Sequence, residues 1–148
     1  MMNSKPPISI TFNSVELEES AFPFWAQAIA NHKPRAKQVK ISVWTLTDFA
    51  IQCLNLLAAN VSIEVIYAKV QGDVKTARFS VCKRELNHAK FMIINNTKAW
   101  IGSTNLAGDL LTNLVVETED RNVIRQLSVI FSDLKANMAK HSTYVIKL

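Results

Sequence analysis

The chain has 148 residues, 49% hydrophobic and 20% charged, a balance that supports a buried core and excludes an intrinsically disordered chain. Its formal charge of +5 and pI near 9.4 point to an anionic partner, nucleic acid or an acidic membrane surface, beside the plainer reading of a soluble protein that happens to be basic. No apolar run approaches the roughly 18 residues of a membrane span, and the N-terminal stretch lacks both a continuous apolar core and a small-residue cleavage site, so a cytoplasmic protein without a membrane element is expected.

In chain order, residues 8–12 (ISITF) alternate and predict a first strand. Acidic residues followed by apolar ones at helical spacing predict a helix over about 20–31. A basic connector, 33–38, leads to a predicted strand at 39–46 (VKISVWTL). A helix to about residue 59 then starts with Thr47 or Asp48 as N-cap, and a second strand covers 61–70. This strand–helix–strand run is a βαβ unit and implies a parallel pair. Residues 71–86 read as a mixed polar stretch. A hairpin, a strand at 114–119 and a helix from 121 to about 140 follow, and 142–148 are a candidate terminal strand. Cys53 and Cys82 lack metal-ligand spacing; two buried free thiols are expected, with a disulfide as the alternative. The whole predicts one domain, residues 1–148, of α/β class: a mixed sheet with helices packed on its faces.

The hairpin, residues 87–106 (NHAKFMIINNTKAWIGSTNL), carries polar side chains where a strand built only for stability would place Val or Thr. His88 and Lys90 share one strand face, and Ser103 and Asn105 share one face of the return strand. If Asn95–Lys98 form an even-numbered turn, residues whose numbers sum to 193 stand opposite one another. His88 then faces Asn105, and Lys90 faces Ser103, with Cβ atoms about 5 Å apart. An odd-numbered turn shifts the pairing by one and scatters this square.

An imidazole, an ammonium, a hydroxyl and a carboxamide in one place suit a phosphate. Lys90 supplies charge, worth about 4 kcal/mol against a unit negative charge at ~4 Å and an effective dielectric near 20. Ser103 and Asn105 supply directional hydrogen bonds, and His88 can attack phosphorus or transfer a proton. The square has no carboxylate for a divalent metal, and no second His or Cys stands at zinc-ligand spacing. No cofactor is expected. Taken one at a time, these residues also fit a solvated strand edge and a turn; their joint spacing is what carries the reading.

Written as a pattern, the segment is His88-x-Lys90-x4-Asn95-x6-Gly102-Ser103-x-Asn105. It resembles the H-x-K-x4-D-x6-G-S-x-N signature of the phospholipase D superfamily, with every spacing kept, and the resemblance runs from residue 39 to about 140. The chain looks most like the small single-motif bacterial endonucleases of that superfamily. The resemblance implies a mostly parallel sheet flanked by helices on both faces, with one motif per chain. It also implies a homodimer in which His88 of each subunit meets across a twofold axis, one attacking phosphorus to form a phosphohistidine, the other protonating the leaving oxygen. Metal-independent hydrolysis of DNA is the activity implied. Hydrolysis of a phospholipid or other small diester, and nucleic-acid binding with little catalysis, are the alternatives.

Two positions depart from the pattern. Asn95 replaces the aspartate, and at a turn it is expected to orient backbone rather than perform chemistry. Relatives place a glutamate in an Asn-x-Glu arrangement that can brace the histidine; here Val115 stands at that position and Glu117 lies two residues on. Glu117 takes the bracing role if the strand is shifted and is otherwise a surface acid. The segment from residue 70 to the motif is also short against these relatives, which bears on the shape of the substrate groove. Lys83 and Arg84, with Lys69, Lys75 and Arg78, are candidates to line a groove for a phosphate backbone, or else form a solvated face. Trp44, near the end of a predicted parallel strand where α/β sheets place ligands, is a candidate to stack on a base, or else a core tryptophan. His32 and His141 read as surface histidines.

Overall fold

The structure, a computed structural model, describes residues 10–12, 15–17, 23–106, 113–138 and 143–148. Parts of the first predicted strand (8–9), the first predicted helix (20–22) and the last (139–140), together with His141, lie outside the described residues. Strands β1 (Ile10–Phe12) and β2 (Val15–Leu17) pair antiparallel apart from the main sheet. Helix α1 (Phe24–Ala30) begins directly after Pro23, whose ring presets a helix-compatible φ. Then come β3 (Gln38–Ser42), β4 (Thr45–Thr47), α2 (Asp48–Ala58), β5 (Ser62–Tyr67) and β6 (Lys69–Gln71). β7 (Ser80–Lys83), β8 (Phe91–Ile94), β9 (Lys98–Gly102), β10 (Val115–Thr118) and α3 (Arg121–Lys135) complete the order.

The main sheet has strand order β10-β9-β8-β3-β5-β7. β3, β5 and β7 are parallel neighbours, whereas β8, β9 and β10 join antiparallel, so four of the six strands run one way. Period-two alternation divides the sheet into two apolar faces. Val39, Ile41, Ile63, Val65, Met92, Ile94 and Trp100 face α1 and α2, meeting Trp25, Ile29, Ile51 and Leu54. Ile66, Phe91, Ile93 and Ala99 face α3, meeting Ile124, Leu127 and Phe131. Each such side chain contributes about 1.5–3 kcal/mol on full burial, so helices cover both faces for the same reason. Of the expected N-caps for α2, Thr47 takes the role, its Oγ1 accepting from the Ala50 N–H at 3.3 Å. Asp120 caps α3 by accepting from the Asn122 and Val123 N–H groups.

Several expectations change. The predicted strands 39–46 and 61–70 each break in two, because both leave the main sheet at the same level and continue as the separate parallel pair β4/β6. Within the polar stretch lies β7, an edge strand parallel to β5; the Phe79/Val81 alternation was its signal. α3 ends at Lys135 rather than near 140, because Asn137 adopts φ 57° and its N–H bonds back to the Leu134 carbonyl. Residues 143–148 carry no strand; Lys147 instead docks on α3, its N–H donating to Gln126 Oε1 and its carbonyl accepting from Asn122 and Gln126. Cys53 is buried and free, and burial pushes its thiol up to about 12, whereas Cys82 is free and only half-buried.

Candidate active site

The site forms where β3 ends. Val43 and Trp44 bridge from β3 into β4, and the Trp44 carbonyl accepts the N–H groups of Ala68 and Lys69 at the matching break between β5 and β6. Two strands thus bend away together and leave Trp44 half-buried at the carboxyl end of the parallel pair. After β9 the chain crosses this end and docks by Leu106, fully buried against Leu46, with the Leu106 carbonyl accepting from the Thr47 N–H and hydroxyl. That crossing places Asn105 so that its Oδ1 accepts the N–H groups of Trp44 (3.0 Å) and Thr45 (3.2 Å).

The His88 segment reaches the same place from the other side. Asn87 and Ser42 are buried polar residues that satisfy one another. Asn87 Nδ2 donates to Ser42 Oγ and to the Val43 carbonyl, both at 3.0 Å, and Ser42 Oγ donates to the Ala89 carbonyl at 2.8 Å. Leaving such groups unpaired would cost about 1–3 kcal/mol each, so the clamp fixes the backbone on both sides of His88 to the end of β3. The His88 imidazole is exposed and stacks obliquely on Trp44, centroids 4.8 Å apart and planes inclined at 35°. Its Nδ1 lies 3.0 Å from Lys90 Nζ, which also donates to the His88 carbonyl at 3.2 Å. With Lys90 as an ammonium, Nδ1 is the acceptor, and a neutral ring carries its proton on Nε2. Desolvation of the half-buried Lys90 holds its ammonium below the ordinary lysine value. The Lys69 ammonium stands 4.6 Å over the Trp44 ring.

The hairpin register is not the one that would build the square. Asn95, Asn96 and Thr97 form an odd-numbered, three-residue turn, with both asparagines at φ 54°. Phe91 therefore opposes Ile101, and Met92 opposes Trp100. The Lys90 carbonyl accepts from the Gly102 N–H, so Ser103 is not opposite Lys90. Ser103 instead ties the strand exit to Leu114: its Oγ accepts the Leu114 N–H at 3.0 Å, and its own N–H donates to the Leu114 carbonyl. Gly102 is required there, since a Cβ would sit 2.1 Å from the Leu114 carbonyl oxygen. His88 and Asn105 both meet Trp44, and Lys90 meets His88, by a route that strand pairing does not supply, the crossing of 103–106 after the sheet has ended.

Solved structures share this architecture. Nuc from Salmonella typhimurium, a phospholipase D family member, superposes with a TM-score of 0.56 at 16% identity, covering 76% of this chain and 84% of its own. The fold is that of the phospholipase D family. NucT from Helicobacter pylori matches equally, with a TM-score of 0.56 at 17% identity over 78% of this chain and 87% of that one. Polyphosphate kinase from Porphyromonas gingivalis contains the same fold in 18% of its chain, with a TM-score of 0.53 and 16% identity over 72% of this one. No family model and no curated protein sequence matches the chain.

Within the phospholipase D-like fold, the remaining motif positions and groove candidates separate. Asn95 stands seven residues from His88 at the opposite end of β8, about 23 Å away at 3.3 Å per residue. Its Oδ1 accepts the N–H groups of Lys37 and Gln38, and its Nδ2 donates to the Arg35 carbonyl. The last bond needs an amide donor, which an aspartate lacks. Glu117 is a correction: it pairs with Trp100 across β10 and β9, its Oε1 accepting from Trp100 Nε1 at 2.9 Å and lying 3.5 Å from Lys98 Nζ. The strand is not shifted to bring it to His88. Arg84 is a second correction, its guanidinium donating to the Leu134 and Lys135 carbonyls in the last turn of α3. Lys83 is exposed on edge strand β7, separated from β3 by β5. Sequence reasoning missed the buried clamp of Asn87 and Ser42; a serine inside the apolar run of β3 was the available signal.

Proposed function

We propose that the chain is a metal-independent phosphodiesterase, a DNA endonuclease working through a covalent phosphohistidine at a site shared by two subunits. The observation that carries the reading is the contact of His88 with Lys90 at the carboxyl end of β3, beside Asn105, in the fold shared with NucT and with the phospholipase D family member Nuc. The donor set is an imidazole, an amine and a carboxamide without a carboxylate, which suits a phosphate oxyanion better than a hard divalent cation.

His88 Nε2 of one subunit attacks phosphorus as a P–N bond forms and the bond to the leaving oxygen breaks. His88 of the second subunit gives its proton to that oxygen, then takes one from the water that attacks phosphorus and releases the histidine. Lys90 turns its ammonium from Nδ1 to the non-bridging oxygens as the phosphate arrives, freeing Nδ1 to hold the ring proton and Nε2 to attack. Asn105 donates through Nδ2, since backbone N–H groups occupy its Oδ1. Ser103 acts by anchoring Leu114 beside the site. The reaction needs one imidazole neutral and the other protonated, so the pH–rate profile is bell-shaped.

The charge of +5 suits a polyanionic backbone such as DNA, and no helix among the described residues is long and apolar enough to cross a membrane. Free Cys53 and Cys82 suit a reducing, cytoplasmic compartment. The chain is read as a single phospholipase D-like domain. The test is incubation of labelled single- and double-stranded DNA, and separately of phospholipid vesicles, with the protein in excess EDTA, beside a His88→Ala variant. DNA cleavage that persists in EDTA and falls at least about 1,000-fold in the variant is expected, the loss of a nucleophile. Cleavage abolished by EDTA or kept by the variant would sink the proposal, cleavage of lipid alone would move the substrate, and binding without cleavage would leave a nucleic-acid-binding protein.

A further inference from the structure

We propose that Trp44 is the positioning residue of His88, its indole holding the imidazole at the angle that a carboxylate hydrogen bond would otherwise set. The inference rests on the phosphodiesterase reading of His88 and reassigns Trp44 from base stacking to the support of a catalytic ring. An exposed histidine turns about two side-chain torsions unless something packs on it or bonds its second nitrogen. Here Nδ1 meets Lys90 Nζ, which sits on a flexible stem and must turn to the substrate phosphate during reaction. Glu117, the carboxylate the motif offered as a brace, is held by Trp100 and Lys98 instead. The contact that survives the departure of Lys90 is the stack on Trp44, at 4.8 Å and 35°, inside the roughly 4.5–7 Å range of favourable ring pairs.

Trp44 can serve because it is fixed. Its N–H donates to Asn105 Oδ1, its carbonyl accepts from Ala68 and Lys69, and the Lys69 ammonium stands over its ring. The indole therefore links the two halves of the motif: the Asn105 carboxamide holds its backbone, and its ring holds His88. A ring face lying against His88 is also closed to a nucleobase, which separates the two roles by experiment.

The test uses Trp44→Leu and Trp44→Phe, with His88→Ala to assign the His88 ring signals among the three histidines. In the wild-type protein the carbon-bound ring protons of His88 are expected upfield of a free histidine's, shifted by the indole ring current, and should relax in Trp44→Leu while the rest of the spectrum shows a folded chain. On bis(p-nitrophenyl) phosphate, a diester without a base, Trp44→Leu is expected to lose about 10- to 100-fold in kcat with KM little changed, the scale of a misplaced reacting group. Trp44→Phe should recover most of that loss. A loss confined to KM on DNA, with the nitrophenyl ester unaffected, would overturn the proposal in favour of base stacking. If the wild-type protein turns over neither substrate, the phosphodiesterase reading fails by itself; an upfield His88 ring that relaxes in Trp44→Leu then still supports positioning, and an unshifted one overturns it.

Discussion

At the scale of single residues, the site depends on which polar groups are committed elsewhere. Lys90 is available because its partners are local and weak: the ring and carbonyl of His88. Desolvation lowers its pKa from the ordinary 10.5. The cost of burying the ammonium is fully present below the lowered folded value and is relieved as pH rises from there to the unfolded value, so this group's contribution to stability increases across that window. A bound anion acts the other way, because it favours the ammonium. Sulfate affinity, followed by NMR titration between about pH 7 and about pH 10.5, is expected to fall before the ordinary lysine value is reached, with Lys90→Gln weak throughout. Affinity that holds undiminished up to the ordinary lysine value would show that Lys90 is not the group that meets the anion. Asn95 illustrates the opposite commitment. All its hydrogen bonds go to the 35–38 backbone, so the asparagine that departs from the family pattern serves the turn, far from His88.

At the scale of elements, the ends of strands and helices decide function more than their middles. The odd-numbered turn sets the β8/β9 register, yet the site survives it because His88, Lys90 and Asn105 all lie beyond the paired stretch, in backbone placed by Asn87, Ser42 and Leu106. Arg84 belongs to an element end too. It occupies the C-terminal carbonyls of α3, where a cation also meets the helix dipole favourably. Arg84→Gln is therefore expected to lower the stability measured by urea unfolding by about 1–2 kcal/mol, the size of lost charge-assisted hydrogen bonds, while DNA affinity and its salt dependence stay near wild type. A variant of unchanged stability whose affinity has a shallower salt slope would restore Arg84 to the substrate groove.

For the whole molecule, one motif per chain makes half of the proposed catalytic pair. Leu86 is 99% exposed two residues before His88, Leu114 is 78% exposed against Ser103, and Val116 is 63% exposed on edge strand β10. Large apolar side chains flanking a site on one chain are what a second copy would cover. Sedimentation equilibrium at working concentration should therefore give about 33 kDa, twice the 16.6 kDa of one chain, and Leu114→Lys should shift the mass toward the single chain and reduce diester turnover with it, as a site built from two subunits requires. A wild-type chain that sediments as a monomer while remaining fully active would refute the shared site.

Much of this was legible beforehand, because it depends on local chemistry and spacing. The βαβ run marked β3, α2 and β5, Thr47 stood among the candidate caps of α2, a helix was expected from residue 121, and the motif spacing singled out His88, Lys90 and Asn105 as candidates. Where the chain bends, which hairpin register forms and which partner each polar side chain finds were decided only by tertiary structure. Trp44 reads as a base-stacking or a core tryptophan until β3 and β5 are seen to leave the sheet together. Glu117 and Arg84 look available until Trp100 and the end of α3 are in place to take them. The buried tie between Asn87 and Ser42 joins residues 45 positions apart. Hydrogen bonding saturates, and a donor or acceptor taken by a neighbour distant in sequence is lost to function, so the commitment of each polar group emerges only when the chain has closed on itself.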